Sequence, residues 1–150
     1  MSLIDVVVFE MNGTYYALDI NLTREIVEFM EITPVPRMPE YIAGILNLRG
    51  EITKIINLNK VLEIPESHTG ESRKIIILTS EESGGSRMGI IVDNVRSVIQ
   101  IDGDAVEHMD DAITKEAYLK GIIKQKSDSE DDRLIIWIDL EKILSDLKIS

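Results

Sequence analysis

The feature that most limits what this chain can fold into is the spacing of its aliphatic residues. Val6-Val7-Val8-Phe9, Ile75-Ile76-Ile77-Leu78, Met88-Gly89-Ile90-Ile91-Val92 and Leu134-Ile135-Ile136-Trp137-Ile138 are short bursts rich in β-branched residues. Each is bounded by polar or glycine-containing turns, and no helical rhythm of about 3.6 residues runs through them. β-Branched side chains are stiff at χ1 and pack well on a pleated surface, so the bursts read as buried strands. Many short strands with turn punctuation favour a barrel or a sandwich.

The turns support this. Asn12-Gly13, between Val6–Met11 and Thr14–Leu18, is a strong two-residue hairpin signal, because both central positions of such a turn need positive φ. Arg49-Gly50 separates Gly44–Leu48 from Glu51–Ile56 in the same way, and the acidic stretch Ser127–Asp132 reads as a longer hairpin loop. Pro34, Pro36 and Pro39 exclude a central strand or helix there and predict a rigid turn leading into Tyr41-Ile42. Helices are few. Leu140, Ile143, Leu144 and Leu147 stand at helical spacing behind Asp139, a suitable N-cap. Residues 102–118 read as loop with helical turns.

An internal echo accompanies this pattern. Ile56-Asn57-Leu58-Asn59-Lys60-Val61-Leu62 is similar to Ile138-Asp139-Leu140-Glu141-Lys142-Ile143-Leu144, and a Gly-Ile pair precedes each, at Gly44-Ile45 and Gly121-Ile122. One physical unit accounts for both copies: a hairpin, a polar N-cap, then a short helix that lays aliphatics back on the sheet. Two copies imply two similar β-subdomains packed together, with approximate halves 1–65 and 73–150 of a single domain spanning 1–150.

Composition narrows the function. The 150 residues include no cysteine, which excludes disulfides, thiolate metal sites and cysteine nucleophiles. A net charge of −11 opposes binding to nucleic acid or anionic lipid, since both need clustered Lys and Arg. No run approaches the ~20 apolar residues that span a bilayer, and Met1–Asp5 lacks the start of a secretory signal, so a cytoplasmic location without membrane insertion is expected.

No catalytic constellation is present in the sequence. His68 and His108 fall in polar stretches without ligand-spaced neighbours. Asp102-Gly103-Asp104 begins like a calcium loop, but Glu107 stands where Gly is needed and Ile113 where Glu is needed. Gly84-Gly85 precedes a strand rather than a helix and so makes no phosphate cradle. Asp110-Asp111 has no clustered His, Lys or Arg, which weakens a hydrolase reading. No enzyme activity, metal or cofactor is expected; a binding or scaffolding module is the simplest reading.

The run Tyr41-Ile42-Ala43-Gly44-Ile45-Leu46-Asn47-Leu48-Arg49-Gly50-Glu51-Ile52, leading into Ile56-Asn57-Leu58, resembles the signature of the CheW family. Phe9–Asp19, Glu25-Ile26 with Ile32-Thr33-Pro34-Val35-Pro36, Met88–Val95 and Leu134–Leu144 resemble further family segments in the same order. The resemblance implies an all-β fold of two SH3-like, five-stranded barrels packed together with a few short helices, one of them C-terminal. It implies a chemotaxis adaptor, monomeric when free, that binds the regulatory domain of a CheA-type histidine kinase and the cytoplasmic tip of chemoreceptors. The alternative is a similar scaffold for a kinase of another two-component pathway.

Residue by residue, the resemblance pairs Arg49 with Glu25, although from the residues alone Arg49 reads as an exposed turn arginine. It places Ile20, Thr23, Ile26 and Val95 in a receptor groove, while periodicity alone would allow Ile20, Ile26 and Val95 to be core. Thr23 departs from the aliphatic residue common there. No kinase-binding residue is identified.

Overall fold

The computed structural model describes residues 3–66, 73–79, 87–108, 118–125 and 133–147. His68, Gly84-Gly85, Asp110-Asp111 and the Ser127–Asp132 loop lie outside the described residues. Among the described residues, ten strands form two five-stranded sheets. They are β1 (Leu3–Met11), β2 (Thr14–Asp19), β3 (Thr23–Glu28), β4 (Ile42–Leu48), β5 (Glu51–Ile56), β6 (Lys74–Leu78), β7 (Met88–Val92), β8 (Asn94–Asp102), β9 (Leu119–Gln125) and β10 (Arg133–Ile138). Helix α1 (Leu58–Leu62) follows β5, and α2 (Leu140–Asp146) follows β10.

Local chemistry sets the turns and caps. Asn12 and Gly13 take φ of 49° and 81°, and Arg49 and Gly50 take 51° and 85°. Both turns therefore have the two positive values that match the twist of a tight hairpin. Asn57 Oδ1 accepts from the N–H of Asn59 at 3.1 Å, and Asp139 Oδ1 accepts from the N–H of Lys142 at 3.1 Å. Each cap satisfies an N–H that its short helix cannot.

The strand orders are β8-β1-β2-β10-β9 and β3-β6-β7-β5-β4. Each sheet closes on itself. The chain after β3 bridges Thr33 to Ile45 on β4, and the chain after β8 bridges Glu107 to Ile122 on β9. These bridges join the two outer strands of each sheet and complete two SH3-like barrels.

The barrels correspond element by element. Parallel pairing joins β5 to β7 in one and β10 to β2 in the other. The N–H of Asn57 donates to Tyr41 O, and that of Asp139 donates to Tyr118 O, each at 2.7 Å. The second barrel in chain order (β8–β10, α2) is completed by β1 and β2 from the opposite end of the sequence. The expected halves, 1–65 and 73–150, are therefore corrected. The boundary near 65–73 falls inside the barrel built from β3–β7, because β1 and β2 pair with β8 and β10 rather than with their nearer neighbours.

Three apolar clusters explain why the bursts are continuous rather than alternating. Ile75 and Ile77 fill the β3–β7 barrel with Leu46, Leu48 and Ile55. Val6, Val8, Ile135 and Trp137 fill the other barrel with Ala17, Ile101, Val106 and Ile123. Between the barrels, Phe9, Met11, Leu18, Ile56, Ile76, Met88, Ile90, Ile138 and Leu140 form a shared core. Strands β1, β6 and β10 thus bury both faces and need apolar residues at successive positions. Strand β3 covers only one face, and its burial alternates along its length.

Candidate functional site

Two crossovers join the barrels, and the candidate groove residues stand on or just beyond them. The first runs from β2 through a 3-10 turn at Ile20–Leu22 into β3. The second passes from β7 through Asp93 into β8. Ile20 is 38% exposed and Ile26 is 39% exposed, a large fraction for isoleucine on a rigid element. Leu22, between them, is buried in the shared core and anchors the segment.

Register places Thr23 and Val95 at equivalent positions. Thr23 pairs with Leu78 on β6, and Val95 pairs with Phe9 on β1. One residue later each strand carries a bulge, with Arg24 and Arg96 as the extra residues. Beyond the bulges Ile26 and Val98 correspond, and both are exposed. Val95 itself is half-buried and packs on the shared core, so it belongs to both the core and the inter-barrel surface. Thr23 Oγ1 is shielded from solvent and has no hydrogen-bond partner in the structure. A polar atom so placed weakens apolar contact without a compensating bond.

Arg49 and Glu25 meet beside this segment. Arg49 Nη2 lies 2.6 Å from both Oε1 and Oε2 of Glu25. The Arg49 side chain is 63% exposed and the Glu25 side chain 28% exposed. The hydrogen bond from Arg49 holds the Glu25 carboxyl below the usual carboxylate range, against some desolvation, with Arg24 and Arg87 adding weaker favourable fields. Arg87 in turn pairs with Glu51, next to the β4–β5 turn. The pair therefore ties that turn to β3, although the two strands are the outer members of their sheet.

These groups can bind but are not arranged to react. Among the described residues no cluster of three or more His, Asp or Glu is placed to hold a metal ion. His108 is exposed and without such neighbours. Among the described residues no helix is long and apolar enough to cross a membrane.

Sequence reasoning missed one polar contact at the first crossover. Asp19 accepts from Trp137 Nε1 at 2.6 Å and faces Lys120 Nζ at 3.1 Å. Trp137 reads from sequence as core alone. Its partner is 118 residues away, and nothing local signals the contact.

The CheW-like domain family matches residues 5–148 of the 150. The chain belongs to the CheW-like family. Among its relatives, the chemotaxis protein CheW of Thermotoga maritima is 31% identical over 147 residues, covering 97% of this chain and 90% of that protein. The chemotaxis protein CheW of Bacillus subtilis is 31% identical over 140 residues, covering 92% and 85%. A crystal structure of the scaffolding protein TtCheW from Thermoanaerobacter tengcongensis superposes with a TM-score of 0.80 at 36% identity, covering 95% of this chain and 88% of that one. CheW-like membership fits the paired barrels and the two crossovers, which carry the exposed aliphatic surface.

Proposed function

We propose that the chain couples chemoreceptors to a CheA-type histidine kinase in the cytoplasm by binding both, as a monomer when free. As a CheW-like domain it is a chemotaxis scaffold and not an enzyme. The observation that carries the receptor half of this reading is the inter-barrel surface. Exposed Ile20 and Ile26 flank Thr23 on one crossover and strand, and Val95 takes Thr23's equivalent place beyond the other crossover. A receptor tip is a helical coiled coil, and helix-in-groove recognition needs aliphatics held on a stiff wall. The Glu25–Arg49 pair and the buried Leu22 supply that stiffness. The kinase regulatory domain would use a separate surface, to which no residue is assigned.

Mechanically, the adaptor holds two partners in one assembly. Two modest interfaces on one body raise effective concentration, and avidity then exceeds either affinity by roughly 10²–10⁴. The test is reconstitution of kinase autophosphorylation with receptor in membranes, with and without this chain. Receptor control of phosphorylation should appear only when the chain is present. Equal phosphorylation in both samples would overturn the coupling role.

A further inference from the structure

Asp19 ends β2 and stands at the N-cap position of the Ile20–Leu22 turn, where an aspartate would ordinarily accept a hydrogen bond from that turn's own N–H groups. It makes no such bond. Both carboxylate oxygens instead reach across the sheet. Oδ1 accepts from Trp137 Nε1 on β10 at 2.6 Å, and Oδ2 faces Lys120 Nζ on β9 at 3.1 Å. Lys120 Nζ also sits 5.2 Å from the Trp137 ring centroid, which closes a triangle of contacts.

The site is partly desolvated. The Asp19 side chain is 17% exposed and that of Lys120 27% exposed. Charge-assisted hydrogen bonds of this kind are short and stronger than neutral ones, and their geometry is restrictive. Trp137 supplies a fixed end, because the residue is 6% exposed and packed among Val6, Val8, Ala17 and Ile135. Asp19 supplies the other end, and the next residue is the exposed Ile20. The opposite crossover has no counterpart, since Ile91 occupies the place equivalent to Asp19.

We propose that Asp19, Lys120 and Trp137 form a latch that positions the Ile20–Thr23 crossover for receptor binding, Asp19 acting as a positioning residue. This rests on the receptor-groove reading given above. The latch restrains the crossover against a barrel core, so receptor binding does not have to order it.

The experiment measures binding of a soluble chemoreceptor cytoplasmic-tip fragment, and separately of a CheA regulatory domain, to the intact chain and its variants. Asp19→Asn retains an acceptor for Trp137 but loses the charge facing Lys120. Trp137→Phe keeps an aromatic, smaller ring and removes the donor. Lys120→Met removes the cation alone and serves as the measure if either of the others unfolds the protein. Ile20→Asp is the control on the groove itself.

The expected result is a loss of tip affinity of about tenfold in the latch variants, with regulatory-domain binding unchanged. Trp137 is the only tryptophan, so its emission should report opening of the latch in Asp19→Asn and Lys120→Met. If Ile20→Asp weakens tip binding and the latch variants do not, the latch proposal fails and the groove stands. A proportionate loss of both partners would make the triad merely structural, which also overturns the proposal. If Ile20→Asp binds the tip like the unaltered chain, the groove reading fails and takes the latch with it.

Discussion

Thr53 lies on β5 with its side chain on the same face as Ile55, inside the β3–β7 barrel, and it is fully buried. Its hydroxyl has no hydrogen-bond partner in the structure. An unsatisfied buried hydroxyl costs about 1–3 kcal/mol, and valine has nearly the same shape. Thr53→Val should therefore raise the unfolding free energy by about 1 kcal/mol in denaturant titration; a loss would mean that the hydroxyl is bonded in solution. Arg49 shows a different tension, a long side chain at φ of 51°, where Asn or Gly is preferred. Arg49→Asn should suit the turn and leave the melting midpoint nearly unchanged, while removing the contact to Glu25. A double-mutant cycle with Glu25→Gln, read on receptor binding, should be non-additive if the pair acts as a unit. The pH response follows from the lowered Glu25 pKa. A carboxyl whose folded pKa lies below its unfolded one contributes stability above the unfolded value and loses it as pH falls through the folded value. The melting difference between the protein and Glu25→Gln should accordingly hold at neutral pH, fade below the ordinary carboxylate range, and shrink with added salt.

At the scale of elements, the two barrel-closing bridges differ in tolerance. A Cβ on Gly44 would lie 2.3 Å from the backbone oxygen of Thr33, and Gly44 has φ of 150°. A Cβ on Gly121 would meet the Val106 side chain at 2.3 Å and the Glu107 oxygen at 3.0 Å, without positive φ. Side chains yield more readily than backbone, so Gly44→Ala should cost about 3 kcal/mol and Gly121→Ala about 1–2 kcal/mol. Equal losses in thermal unfolding would contradict this ranking. The tight hairpins, the caps at Asn57 and Asp139 and the aliphatic strands were legible in sequence, because each depends on neighbours along the chain. Strand β8 was harder to read. Its central residues Arg96, Ser97 and Val98 are all exposed, so it lacks a clean alternation. The Glu25–Arg49 contact came from resemblance rather than spacing, since a turn arginine carries no mark of its partner. The Asp19 latch joins three strands and left no local trace at all.

At the scale of the whole molecule, the repeat was visible in Ile56–Leu62 and Ile138–Leu144, but the connectivity was not. The halves expected from the repeat group β1 with β3, whereas it pairs with β8; closure of both barrels decides this, and closure is a non-local property. The arrangement has a consequence for folding. The barrel that contains β1, β2, β8, β9 and β10 needs both ends of the chain, while the β3–β7 barrel lies between them in sequence. If the barrels were independent, the inner one would unfold separately. They share Phe9, Leu18, Ile56, Ile76, Met88, Ile90, Ile138 and Leu140, drawn from both sheets and α2 and almost wholly shielded from solvent. Separating the barrels would expose those residues together, and each fully buried aliphatic or aromatic side chain is worth about 1.5–3 kcal/mol. A half-folded state would lose most of that stabilisation while keeping much of its ordering cost, so it should not accumulate. Denaturation followed by Trp137 emission, which reports on one barrel, should therefore coincide with far-ultraviolet circular dichroism, which reports on both. Phe9→Ala, which opens a cavity at the shared face, should lower the common midpoint by about 3–5 kcal/mol in stability without splitting the transition. Two separated transitions in the unaltered protein would show that the barrels fold as independent units joined only by their crossovers, and the stiffness attributed to the inter-barrel surface would then lose its physical basis.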